Sequence, residues 1–274
     1  MRSVLAMVLL ISACGHPQTG TRMKVVFREM GSARPLDARE WTATRYVLGP
    51  RSRTDTEQPG PNGRRYKVAF IQLCDARISY YLDLDRHEYR QVHLPPAPPP
   101  ESAANLPKPV GAANIVIETT VRDTGETKSI LGHSAHHYVT TTTQTPAPEL
   151  NMAPDEVVED EWYLDVPDNS TCNPRTHQYA SLIAVGGSAG AGQHGGRAEL
   201  PDIHSQFKFS GPIPRGLVVS QKRTTRTLHH LQTGERSDYV FTTSQEVVEL
   251  SSEKIDPSLF EVPKGFKEVK QGIH

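Results

Sequence analysis

Ile78-Ser79-Tyr80-Tyr81-Leu82-Asp83-Leu84-Asp85-Arg86-His87-Glu88-Tyr89 is the stretch that decides the fold. Ile78, Tyr80, Leu82 and Leu84 alternate with Ser79, Tyr81, Asp83 and Asp85. A period of two puts the first set on one side of an extended chain and the second on the other, the pattern of a half-buried strand. Asp85-Arg86-His87 interrupts the alternation with a turn, and Tyr89 to Leu94 resumes it. Residues 78–94 therefore read as a β-hairpin.

The same signal extends in both directions. Val68 to Leu73 is nearly all apolar, as in a central strand, and Trp41 to Leu48 precedes it. Ile115 to Val121, His133 to Thr143, Glu161 to Val166, Leu217 to Leu228 and Tyr239 to Leu250 are further strands. Threonine runs such as Thr140 to Thr143 suit them, because β-branched side chains fit a pleated surface. Strand follows strand through turns, which predicts an antiparallel meander rather than alternating βα units. Helical signal is confined to Thr176 to Val185, opened by Asn173-Pro174, and to one turn at Asp256-Pro257-Ser258-Leu259, with Asp as cap and Pro at the first position. The predicted class is mainly β (α+β): an antiparallel sheet with a few short helices.

The 274 residues carry 30 Lys+Arg against 31 Asp+Glu, a net charge of −1. That balance argues against a nucleic-acid partner, which requires a basic face. Hydrophobic residues are 36% of the chain and 20 more residues are glycine, which is near the lower edge of the roughly 45–50% apolar share of globular domains. No apolar run approaches the ~18 residues of a membrane span.

The N-terminus reads as an export signal. Arg2 supplies a positive charge, Val4 to Ile11 is an unbroken apolar run, and Ser12 and Ala13 are small. Ile11-Ser12-Ala13-Cys14 resembles the bacterial lipobox, with Ile in place of the usual Leu. The resemblance implies residues 1–13 as a signal peptide and cleavage before Cys14. It further implies lipidation of Cys14, a membrane anchor of several acyl chains, and a tether over 14–20. Gly15 in place of an acidic residue after the cysteine favours the outer membrane, facing the periplasm. Residues 21–274 then form a single domain. In that oxidising compartment, Cys74 and Cys172 are the remaining cysteines. Paired, they would close a loop of about 100 residues, a contribution of ~2–4 kcal/mol; two separate thiols are the alternative.

Most motif matches lack the context their chemistry needs. Gly186-Gly187-Ser188-Ala189-Gly190 matches G-x-S-x-G, with His204 or His229 as possible bases, but a nucleophile elbow needs a helix after the serine and a glycine-rich run follows. Gly190-Ala191-Gly192-Gln193-His194-Gly195 matches G-x-G-x-x-G without the parallel βα unit of a dinucleotide site. His133 and His137 share a strand face about 13 Å apart, too far to hold one ion by ~2 Å bonds. Asp155, Glu156, Glu159, Asp160 and Glu161 read as a solvated strand entry. Leu94 to Pro109, with seven prolines, and Gly186 to Gly196, with six glycines, read as loops. The chain is read as a non-enzyme with no cofactor and no metal.

Several stretches taken together resemble the LolA-like lipoprotein-carrier superfamily, in an uncharacterised exported branch. They are Tyr46 to Arg53 (Y-x-x-G-x-x-x-R), Gln72 to Asp75 with Tyr80 to Tyr89, and Gly132 to Tyr138. The most characteristic is Asp256-Pro257-Ser258-Leu259-Phe260-Glu261-Val262-Pro263-Lys264-Gly265-Phe266. The resemblance implies a strongly curved antiparallel sheet, an unclosed barrel, with a small helical lid over an apolar concave face that holds acyl chains. The Pro-rich and Gly-rich insertions depart from it. By alternation, Phe70, Ile78, Tyr80, Leu82, Trp162 and Leu164 are the candidate lining of such a face. The expected function is a cell-envelope lipoprotein that binds an acyl chain or other apolar ligand. The alternative is a filled-core lipoprotein meeting an envelope protein partner. A third reading is a serine esterase through Ser188.

Overall fold

The computed structural model describes residues 18–31, 39–60, 63–94, 114–150, 152–166, 205–230 and 236–270. Strands β1 (Gln18–Gly31), β2 (Arg39–Leu48), β3 (Arg51–Pro59), β4 (Arg65–Leu73), β5 (Ile78–Asp83) and β6 (Glu88–His93) follow one another as an antiparallel meander. A second run comprises β7 (Ile115–Ile130), β8 (His133–Pro146), β9 (Asp155–Leu164), β10 (Ser205–Ser210), β11 (Leu217–His230) and β12 (Arg236–Ile255). The short β13 (Lys267–Glu268) is the last strand of the described residues.

The strands join into one sheet in the order β10-β7-β8-β9-β11-β12-β1-β2-β3-β4-β5-β6-β13. β12 unites the two meanders by pairing with β11 on one side and β1 on the other. The sheet is large and curved and does not close into a barrel, as the resemblance implies. Its two outermost ladders, β10 with β7 and β13 with β6, are parallel, and the ladders between them are antiparallel.

The hairpins form where local chemistry allows tight turns. Leu131 (φ 51°) and Gly132 (φ 81°) join β7 to β8 with both central residues left-handed, the geometry that matches the strand twist. The 78–94 hairpin turns at His87 (φ 55°) and pairs Asp83 with Glu88. Asp83 Oδ1 caps that turn, accepting the backbone N–H groups of Asp85 (3.0 Å) and Arg86 (2.8 Å).

Sequence periodicity missed β1, β3, β10 and the two-residue β13. Arg51-Ser52-Arg53-Thr54-Asp55-Thr56-Glu57 has no apolar residue to mark a face, so its strand state comes from pairing with β2 and β4. β1 begins at Gln18, inside the stretch read as a tether. The signal peptide, Cys14, the Pro-rich and Gly-rich loops, the 176–185 helix, Cys172, Ser188 and His204 lie outside the described residues, as does the side chain of His229.

Two apolar clusters hold the sheet. Met23, Val25, Ala135, Leu164, Leu217, Val219 and Val247 form one near its centre. Leu48, Ala69, Ile71, Leu82, Ile255 and Phe260 form the other. In the second, the C-terminal segment folds back over β3 and β4. Asp256 caps the 3-10 turn Pro257–Phe260 by accepting the Ser258 N–H, and Phe260 is 2% exposed. Arg53 donates to the Leu259 carbonyl at 3.0 Å. Among the described residues there is no helix of seven residues or more, so they do not build the helical lid that the resemblance implies.

Candidate functional site

The β3–β6 end of the sheet uses both faces. Ile71 and Leu82, both 0% exposed, pack under the C-terminal segment on one side. Alternation then places Phe70 and Tyr81 on the other. There, cross-strand pairing aligns Thr54, Phe70, Tyr81 and Arg90 in one row across four strands. The Phe70 and Tyr81 rings meet at 4.7 Å between centroids, and the Arg90 guanidinium lies 5.1 Å from the Tyr81 centroid.

A cavity of about 740 Å³ opens above this row, within the ~300–1,000 Å³ range of small-molecule sites. Val68, Phe70, Tyr66 and Tyr81 give it an apolar and aromatic lining, with Thr54, Thr56, Gln58 and Arg90 as polar groups. Gly60 makes room for Tyr66: a Cβ there would collide with the tyrosine ring. The Arg90 Nε is buried and has no hydrogen-bond partner.

The opposite half of the sheet is closed by polar groups. Pairing lines up Tyr138, Glu161, Gln221, Gln245, Phe27 and Trp41 in one row across six strands. Glu161 is 1% exposed. Its Oε1 accepts from Gln221 Nε2 at 2.6 Å and its Oε2 accepts from the Tyr163 hydroxyl at 2.8 Å. Gln221 also donates to Glu159 (3.2 Å) and accepts from Gln245 Nε2 (3.0 Å). Burial, reinforced by nearby Asp123, pushes the Tyr138 hydroxyl above its ordinary pKa. The row ends in the Phe27–Trp41 stack, 5.5 Å between centroids. The expectation of a solvated acidic run is corrected here for two of its members: Glu159 and Glu161 point inward because they share the buried face of β9 with Val157 and Tyr163.

The six residues chosen as a lining do not converge. Phe70 faces the cavity; Leu82 borders it, but its side chain belongs to the core cluster on the other side. Tyr80 packs against that same cluster and meets Tyr89 edge-on at 6.0 Å. Ile78 pairs with Leu73 at the strand end. Trp162 and Leu164 sit on β9, far along the strand order. Trp162 stacks on His137 at 4.5 Å with Lys128 Nζ 3.8 Å over its ring. Leu164, 0% exposed, is in the central cluster. His137 Nδ1 faces Glu126 at 3.1 Å, and its Nε2 lies 3.1 Å from Asp160 at an angle that makes no hydrogen bond. Cys74 follows β4 and is disulfide-bonded; Cys172 lies outside the described residues.

Tyr66, Tyr81 and Arg90 escaped the sequence reading. The signal was present in the hairpin itself, since its register sets Tyr81 opposite Arg90. Assigning the Ser79/Tyr81/Asp83 side to solvent hid it.

No family model matches the chain, and no curated protein matches it. Solved structures similar to it include PNGF-II, at 13% identity and TM-score 0.37. That match covers 91% of this chain and 31% of PNGF-II, so the chain spans about a third of its length. A LolA superfamily protein from Nitrosomonas europaea, NE2245, is similar at 8% identity and TM-score 0.28, covering 90% of this chain and 92% of that one. At these values the likeness assigns neither a family nor an activity.

Proposed function

We propose that this chain is an exported cell-envelope lipoprotein, anchored through Cys14, that binds an acyl chain or other apolar ligand over β3–β6. The cavity lined by Val68, Phe70, Tyr66 and Tyr81 carries the reading. Those side chains lie on a face that the C-terminal segment leaves to other contacts, since Phe260 packs with Ile71 and Leu82 on the opposite side. Burying a ligand's apolar surface there contributes roughly 25 cal/mol per Å². The role is binding, without catalysis. The leader and lipobox-like tetrad support the anchor and a location at the outer membrane facing the periplasm.

The test has two parts. Fractionation of cells expressing the full chain is expected to place it in the membrane, and Cys14→Ser to release it. The domain without its anchor, stripped of lipid, is expected to saturate with one long-chain apolar probe per chain. Phe70→Ser, folded as judged by circular dichroism, is expected to weaken that binding at least tenfold. No saturable binding would remove the ligand reading.

A second reading is favoured by the Glu161–Gln221–Gln245 row, which fills the middle of the sheet with mutually bonded side chains rather than an apolar channel. Under it the chain is a filled-core lipoprotein, and an envelope protein is its partner.

A further inference from the structure

We infer that the β3–β6 cavity selects amphiphiles with an anionic head, and that Arg90 is the residue that reads the head. The inference rests on the apolar-groove reading and adds the ligand's chemical class.

Arg90 stands at the end of the Thr54–Phe70–Tyr81–Arg90 row and lines the cavity. A guanidinium is permanently charged and carries five donors in a planar fork. Packing on Tyr81 satisfies its face and leaves its edge. The Nε, buried from solvent, has no acceptor. Three arginines of this sheet have acidic partners: Arg51 pairs with Asp75 at 2.7 Å, Arg53 with Asp55 at 2.6 Å and Arg28 with Glu40 at 2.8 Å. Of the two acids next on this face of the ladder, Glu88 and Asp83, Asp83 is spent on the hairpin turn, where it holds two backbone N–H groups and faces Arg86. A buried cationic donor without a partner is costly, and it sits beside an apolar, aromatic floor. A carboxylate or phosphate oxygen carried by a ligand in the cavity to the Arg90 guanidinium would form a charge-assisted bond, with the attached chain lying over Tyr81, Phe70 and Val68.

The test uses oleate, oleyl phosphate and oleyl alcohol, which share one chain and differ only in the head. Each is titrated against the lipid-stripped domain without its anchor by calorimetry. Wild type is expected to bind at least one of the two anions about ten- to a hundredfold more tightly than the alcohol, the range of a charged hydrogen bond. The tighter anion identifies the head as carboxylate or phosphate. Arg90→Gln is expected to erase the preference, bringing the affinity for the anion down to that for the alcohol, while Arg90→Lys keeps part of it. Circular dichroism establishes that each variant folds. Equal binding of all three ligands by wild type, or an anion preference that survives Arg90→Gln, overturns the inference and spares the groove. Binding of none of the three removes both.

Discussion

Gln221 Nε2 donates to Glu161 Oε1 across 2.6 Å, bridging β11 to β9 and holding a carboxylate that is 1% exposed. The same amide nitrogen reaches Glu159, and its carbonyl accepts from Gln245 on β12. One side chain thus ties three neighbouring strands. Removing it strands a buried acceptor and a donor at once. Gln221→Ala is expected to lower unfolding free energy by about 2–3 kcal/mol, read from urea denaturation. A loss below about 0.5 kcal/mol, the size of an ordinary surface change, would contradict the network's structural role.

Trp162 is structural. Its ring lies between His137, stacked at 4.5 Å, and Lys128, 3.8 Å above it. Trp162→Ala is expected to cost about 3 kcal/mol, the low end for an aromatic deletion in a core, because the ring is half-buried. Binding of the apolar probe is expected to remain within twofold of wild type. A large loss of binding with unchanged stability would return Trp162 to the site.

Cys74 and Cys172 are proposed to pair. Mass spectrometry after alkylation without reductant is expected to find both blocked, and reduction is expected to cost ~2–4 kcal/mol of stability. Two alkylated thiols in the unreduced protein would contradict the pairing.

Acid is expected to loosen the C-terminal cap. The Ser258 N–H bonded to Asp256 at 2.9 Å, together with the Ser258 side chain, holds the Asp256 carboxyl below its ordinary value of 3.8. A carboxyl whose pKa is lower folded than unfolded stabilises the fold above the unfolded value, and that stability is lost as pH falls through the folded value. Asp256→Ala is therefore expected to melt at a lower temperature than wild type at neutral pH, with the gap closing only below 3.8. A gap that is unchanged in strong acid would show that the carboxylate's charge is not involved.

The fold was legible wherever one strand face is apolar and the other polar. Ile78 to Leu84 announces a strand and its hairpin. The C-terminal motif is legible too, and its meaning is mechanical: Leu259 offers its carbonyl to Arg53, the last residue of Y-x-x-G-x-x-x-R, and Phe260 fills the cluster around Ile71. β3 was illegible because Arg51 to Gln58 are all polar and its pairing is set by β2 and β4. The site was illegible for a related reason. Alternation tells which residues share a face but not which face meets water, and at β4–β5 both are occupied. Glu161 looked solvated because charge normally is; its burial depends on Gln221, 60 positions away in sequence.

The most direct test of the central claim is native mass spectrometry of the domain without its anchor, purified from a bacterial periplasm, with organic extraction of what accompanies it. The account predicts near-stoichiometric lipid on the wild type and its loss from folded Phe70→Ser. An empty, well-folded wild-type domain that also takes up no added lipid would contradict it.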